Sequence, residues 1–162
     1  TTEIYTLSLH DALPIFSIFH DGGIVDCKGD FNKLTLTIQC NYLAELINPD
    51  FENFYLDLTE INKLDFDPWM NPIDLEKIDF DSHEDYLKVD LEILSAEIKD
   101  DSIIVTCNQH DTDLDFCGGI LMISAKNFNL YDHKMTPMTI DQLDLICRKY
   151  WDNARNNRNE NV

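Results

Sequence analysis

The stretch Phe19-His20-Asp21-Gly22-Gly23-Ile24 leads through a turn at Lys28-Gly29-Asp30 into Leu34-Thr35-Leu36-Thr37-Ile38-Gln39-Cys40. Its second half decides the fold class. Leu34, Leu36, Ile38 and Cys40 point one way, while Thr35, Thr37 and Gln39 point the other. That period of two marks a half-buried antiparallel strand. Lys28 to Asn32 carries turn chemistry, so the whole reads as a β-hairpin. Its first strand is expected over Ser17–Cys27, broken by the glycine pair, where a bulge or a close backbone approach is expected.

The same grammar runs onward. Phe54, Leu56 and Leu58 alternate with Tyr55, Asp57 and Thr59, and Leu64-Asp65-Phe66-Asp67 extends that strand until Pro68-Trp69 breaks it. Leu75–Phe80 reads as a short strand or a helical turn. Leu87–Ile98 and Ile103–Cys107 form a second hairpin around Lys99-Asp100-Asp101-Ser102. Asp113–Phe116 opens a strand that passes Gly118-Gly119 into Ile120–Ala125, and Phe128–Tyr131 ends the β region. Val25–Cys40 and Ala96–Cys107 echo each other as strand, turn and strand ending in cysteine. The echo reads as shared hairpin grammar, not as a repeat.

The period changes at Thr139. Ile140, Leu143, Ile146, Cys147, Tyr150, Trp151 and Ala154 recur at helical spacing, and Thr139 with Gln142 fits a capping box. The expected architecture is therefore α+β and mostly β. It comprises antiparallel sheet of six to eight strands built from hairpins, with one amphipathic helix over 139–154. Residues 156–162 read as a polar tail.

The first fifteen residues, TTEIYTLSLHDALPI, match residue for residue the in-frame translation of a short-read sequencing adapter. They are read as a non-native segment, leaving 16–155 as one domain and giving His10 and Asp11 no role. Residues 7–19 lack the basic flank of a signal peptide.

The chain has 162 residues and a formal charge of −19, almost all of it from residues 50–116. A field of that sign repels nucleic acid and anionic membranes and attracts basic partners. The bland counterpart is acidity that serves solubility alone. Five cysteines with no Cys-x-x-Cys spacing argue against a disulfide framework or a zinc ribbon and for reduced thiols in the cytoplasm.

No catalytic, cofactor or metal motif emerges. Asp111-Thr112-Asp113-Leu114-Asp115 opens like a calcium loop, but Phe116 and Met122 stand where the loop needs glycine and glutamate. Asp65-Phe66-Asp67 and Asp79-Phe80-Asp81 place carboxylates on one side of a strand, without a phosphate loop beside them. A hydrolase of unknown type would need His20 or His110 beside Cys27, Cys107 or Cys117. The candidate partner-binding residues are Asp65, Asp67, Trp69, Asp79, Asp81, Asp111, Asp113 and Asp115, with Trp69 as the aromatic anchor. His20, Asp21, Gly22 and Gly23 read as a structural signature whose polar groups satisfy nearby backbone.

The run Phe19-His20-Asp21-Gly22-Gly23-Ile24, followed by a hairpin, resembles small bacterial proteins with an FHDA or FHDG signature, several of which look like immunity proteins of polymorphic toxin systems. Gly23 departs from that pattern. The resemblance implies a cytoplasmic, non-catalytic protein that binds and neutralises a basic toxin, such as a nuclease. It implies no cofactor, nucleic acid or membrane. The alternative is an interaction or structural domain without a cognate toxin.

Overall fold

A computed structural model describes residues 4–161; residues 1–3 of the adapter-like segment and Val162 of the tail lie outside it. Seven strands form one antiparallel sheet: β1 (Gly23–Gly29), β2 (Lys33–Gln39), β3 (Asn53–Met70), β4 (Leu91–Lys99), β5 (Ser102–Asn108), β6 (Phe116–Tyr131) and β7 (Pro137–Met138). Their order is β3-β2-β1-β4-β5-β6-β7, and β3 also pairs with β6. That pairing closes six strands into a ring and removes most exposed edges. The mostly-β expectation holds, and the C-terminal helix is present.

Alternation along each strand fills the ring. In β2, Leu34, Leu36 and Ile38 have no exposed surface, as do Ile103, Val105 and Cys107 in β5. Leu121, Ile123, Phe128, Phe54, Leu56 and Leu58 complete the same core.

The ring is built twice over. β1-β2-β3 and β4-β5-β6 are two meanders whose hairpins correspond at a constant sequence offset. Gly23 pairs with Gln39 as Glu92 pairs with Asn108, and Ile24 pairs with Ile38 as Ile93 pairs with Cys107. Each first strand then bulges at the same place, between Ile24 and Asp26 and between Ile93 and Ser95. Asp21 (φ 67°) and Asp90 (φ 61°) occupy the same left-handed position before their strands. The halves meet where Gly23 pairs with Glu92, a pair that maps onto itself when the halves are exchanged. This is an internal pseudo-two-fold, and it corrects the reading of the echo as mere grammar. Cys40 and Cys107 are also not counterparts; Ile38 stands where Cys107 does.

The helices follow the same relation. α1 (Leu9–Ile18) lies against β4, while the single turn α3 (Glu84–Leu87) lies against β1. Ala12, Ile15, Phe16 and Phe19, at helical spacing, have no exposed surface. α1 thus crosses the boundary drawn at Phe16, and its last turn together with the turn at 19–22 replaces the first half of the strand expected from Ser17. Its periodicity is visible only when residues 8–15 stay in the reading. The turn α2 (Asn41–Ala44) and the long helix α4 (Ile140–Asn159) pack together, with Tyr42 and Tyr150 rings 4.6 Å apart. Thr139 caps α4 by accepting from Gln142 N at 3.1 Å, and Gln142 Oε1 accepts from Thr139 N at 2.9 Å. α4 runs to Asn159, into the segment read as a tail.

The strand expected from Leu87 begins only at Leu91, and the one expected from Asp113 begins at Phe116. Two further expectations fail. β3 does not stop before Pro68 but continues to Met70, and Leu75–Phe80 is neither strand nor helix. The first has a physical cause developed below.

Candidate partner-binding cleft

β2 accompanies β3 only as far as Thr59. Glu60 N and Ile61 N still donate to Asn32 O and Phe31 O, but beyond Ile61, as far as Met70, β3 pairs with β6 alone and its other edge is open. Cys117 O accepts from Gln109 N on the β5 side, so over the stretch paired with β5, Cys117 to Ile123, odd-numbered residues of β6 turn their backbone to β5 and even-numbered ones to β3. Asp65 pairs with Met122 and Asp67 with Ile120, so Asp65 and Asp67 bond to β6. Leu64, Phe66 and Pro68 therefore turn their backbone groups to the open edge. Proline lacks only an N–H that the sheet never uses there, which is why Pro68 does not break the strand.

The connection from β3 to β4 folds back along this edge. Phe80 reaches in to three rings, with centroids 6.0 Å from Phe66, 5.3 Å from Tyr86 and 5.7 Å from Phe116. Phe66 stacks on Tyr86 at 5.2 Å, and Tyr86 Oη donates to Leu64 O at 3.2 Å. Burial pushes the Tyr86 phenol above its ordinary pKa, with the nearby Asp65 charge acting the same way, so it remains a donor.

Between β3 and residues 78–86 lies a cleft of about 370 Å³. Leu64, Phe66 and Phe80 line it together with Asp65, Asp79 and Asp81, and its exposed surface is mainly polar. His83 Nε2 is buried in its wall without a hydrogen-bond partner, and the ring lies 5.9 Å from Phe31. Asp67 stands next along β3 and pairs with Lys77 at 2.5 Å. Four of the eight residues singled out from the sequence thus meet on or beside one cleft. Sequence reasoning missed His83, Tyr86 and Lys77; only the aromatic spacing around Phe80 hinted at this packing.

The other four lie at the far end of β3. Trp69, 39% exposed, covers Gly118, where an added Cβ would meet its ring at 3.0 Å. Gly118 also has φ 152° and no room toward Cys107 O, so glycine is required there. Asp111 and Asp113 belong to the loop before β6 and are absent from the cleft lining. Asp111 Oδ1 accepts from Asp113 N at 3.0 Å, and the buried Gln109 side chain donates to Asp111 O and Phe116 O. Asp115 O accepts from Asn71 N at 2.9 Å, tying that loop to the end of β3. These contacts explain the calcium-like spelling as loop closure. Among the described residues, no group of three or more His, Cys, Asp or Glu side chains could hold a metal ion.

The signature residues differ from the expectation: the His20 and Asp21 side chains pair with each other at the surface and not with nearby backbone. His20 Nδ1 lies 2.9 Å from Asp21 Oδ2, and Gly22 N donates to Phe19 O at 2.8 Å. A Cβ on Gly23 would collide with Asp90 Oδ1. Asp21, Gly22 and Gly23, without His20, border a second open cleft of about 370 Å³ on the pseudo-two-fold, shared with Asp90, Glu92 and His110. His110 pairs there with Glu92. His133 Nδ1 accepts from Glu52 N and Asn53 N, each at 3.2 Å. Burial pushes the Cys27 and Cys40 thiols up to about 11 and Cys107 up to about 12. Near neutral pH they keep their protons, the opposite of an activated nucleophile. Among the described residues, no helix is long and apolar enough to cross a membrane.

Comparison with protein-family models, with curated proteins and with solved structures returns no match.

Proposed function

We propose that the chain is a non-catalytic binding protein of the immunity type. Its acidic cleft beside β3 receives a basic protein, such as a toxin nuclease, in the cytoplasm. The observation that carries this reading is the convergence of Asp65, Asp79 and Asp81 on one cleft from separate parts of the chain. Carboxylates focused around a concave cleft speed capture of a cationic partner. Exposed apolar groups stand close by in sequence: Trp69, Leu75 and Ile73, the last 93% exposed. An apolar centre with a charged rim is the usual anatomy of a protein interface.

Affinity capture with the wild-type chain and with an Asp65→Lys/Asp79→Lys/Asp81→Lys variant tests it. The wild type should retain a basic protein at low salt and release it at high salt. Adding the chain should suppress that protein's toxic activity, and the variant should do neither. Absence of any basic partner at low salt, or equal retention by the variant, would overturn the proposal.

A further inference from the structure

We propose that the partner binds by adding an extended, lysine- or arginine-bearing segment to the open edge of β3 between Leu64 and Pro68. This rests on the acidic-cleft reading above and specifies how the cleft is used. Three observations lead to it. First, β3 has no strand partner on this side beyond Ile61, although its backbone stays extended to Met70. Leu64 N–H, Phe66 N–H, Phe66 C=O and Pro68 C=O face the edge, and among the described residues the one bond to these residues' edge-facing groups is that from Tyr86 Oη to Leu64 O. Unpaired edge groups are a template for a further strand.

Second, the cleft lies against the Leu64–Phe66 part of that edge and has an opposite wall, residues 78–86, held in place by the Phe80 and Tyr86 rings. An added strand would be enclosed on both sides. Third, the charge selects the occupant. Asp65 lies on β3 itself, and Asp79 and Asp81 stand across the cleft. A strand bearing alternate cations would place them against these carboxylates and turn its other residues to Leu64 and Phe66. A second copy pairing through the same edge would bring the two sets of carboxylates together, which disfavours it.

The test uses a short alternating lysine–valine peptide and the same peptide N-methylated on alternate amides along one edge. Both carry the same charge and side chains; one of them cannot complete a β-ladder. Binding is read by fluorescence anisotropy, and the Leu64 and Phe66 amides are followed by hydrogen exchange. The unmodified peptide should bind about tenfold or more tightly than the methylated one, protect both amides, and weaken with Asp79→Lys/Asp81→Lys. Equal binding by both peptides, without amide protection, would overturn edge addition while leaving the acidic cleft as a cation receptor. Indifference to Asp79→Lys/Asp81→Lys would instead sink the charge argument on which both readings stand. Dimerisation of the free chain through this edge, seen in sedimentation and accompanied by Leu64 and Phe66 protection in hydrogen exchange that rises with concentration, would assign the edge to a second copy and overturn the proposal.

Discussion

Replacing Phe80 by alanine separates the cleft from the barrel. The ring is partly buried and lies 5.3–6.0 Å from three other rings. Full burial of a phenylalanine contributes roughly 1.5–3 kcal/mol, so a partly buried ring contributes about half that. Three aromatic pairs at the weak end, about 0.5 kcal/mol each, bring the cost to about 2–3 kcal/mol. That lies below the ~3–5 kcal/mol of a fully buried Phe→Ala change. For a chain of this size it lowers the melting temperature by about 4–12 °C. Only the far wall of the cleft depends on Phe80. Hydrogen exchange should therefore quicken over residues 76–86 while β2 and β5 keep their protection. A drop under about 2 °C with unchanged exchange over that segment would refute the idea that Phe80 pins the wall.

Thr139→Ala removes one half of the capping box and should cost about 1 kcal/mol, read from the urea midpoint, with Thr139→Ser restoring it. Asp21→Gly and Asp90→Gly should leave stability unchanged or raise it, whereas Asp21→Ala and Asp90→Ala should each lower it by about 1 kcal/mol because both positions are left-handed. Different behaviour at the two sites would count against the internal two-fold. The buried thiols set an alkaline limit. Their folded pKa values lie at about 11 to 12 against an ordinary 9.0, so the unfolded chain ionises first. Stability should hold below pH 9 and fall as pH rises through 9 toward about 12; a midpoint that stays constant across that window would contradict the burial of Cys27, Cys40 and Cys107.

What could be read from the chain beforehand was local. Leu34, Leu36 and Ile38 announce β2 because a strand needs only alternation to show its buried face, and Thr139 with Gln142 announces α4 because a cap is a short-range bond. The strand through Pro68 was hidden because proline's tolerance depends on which edge is paired, a property of β6 and not of β3. α1 was hidden because its apolar spacing begins in residues set aside as adapter-like. The internal two-fold was nearly invisible. Asp21 and Asp90, Ile24 and Ile93, and Thr37 and Thr106 are shared between the hairpins, but the eye is drawn to Cys40 and Cys107, which do not correspond. The candidate site was half legible. Acidic pairs marked Asp65, Asp67, Asp79 and Asp81, but their meeting depends on Phe80 reaching Phe66 and Tyr86 across the fold. Nothing in the local spelling separates them from Asp111 and Asp113, which serve their own loop.

The salt dependence of association kinetics between the chain and its captured basic partner tests the acidic cleft most directly. The account predicts an association rate constant that falls steeply as salt rises and drops again in the Asp65→Lys/Asp79→Lys/Asp81→Lys variant, with dissociation much less affected. An association rate constant indifferent to both salt and charge reversal would contradict it.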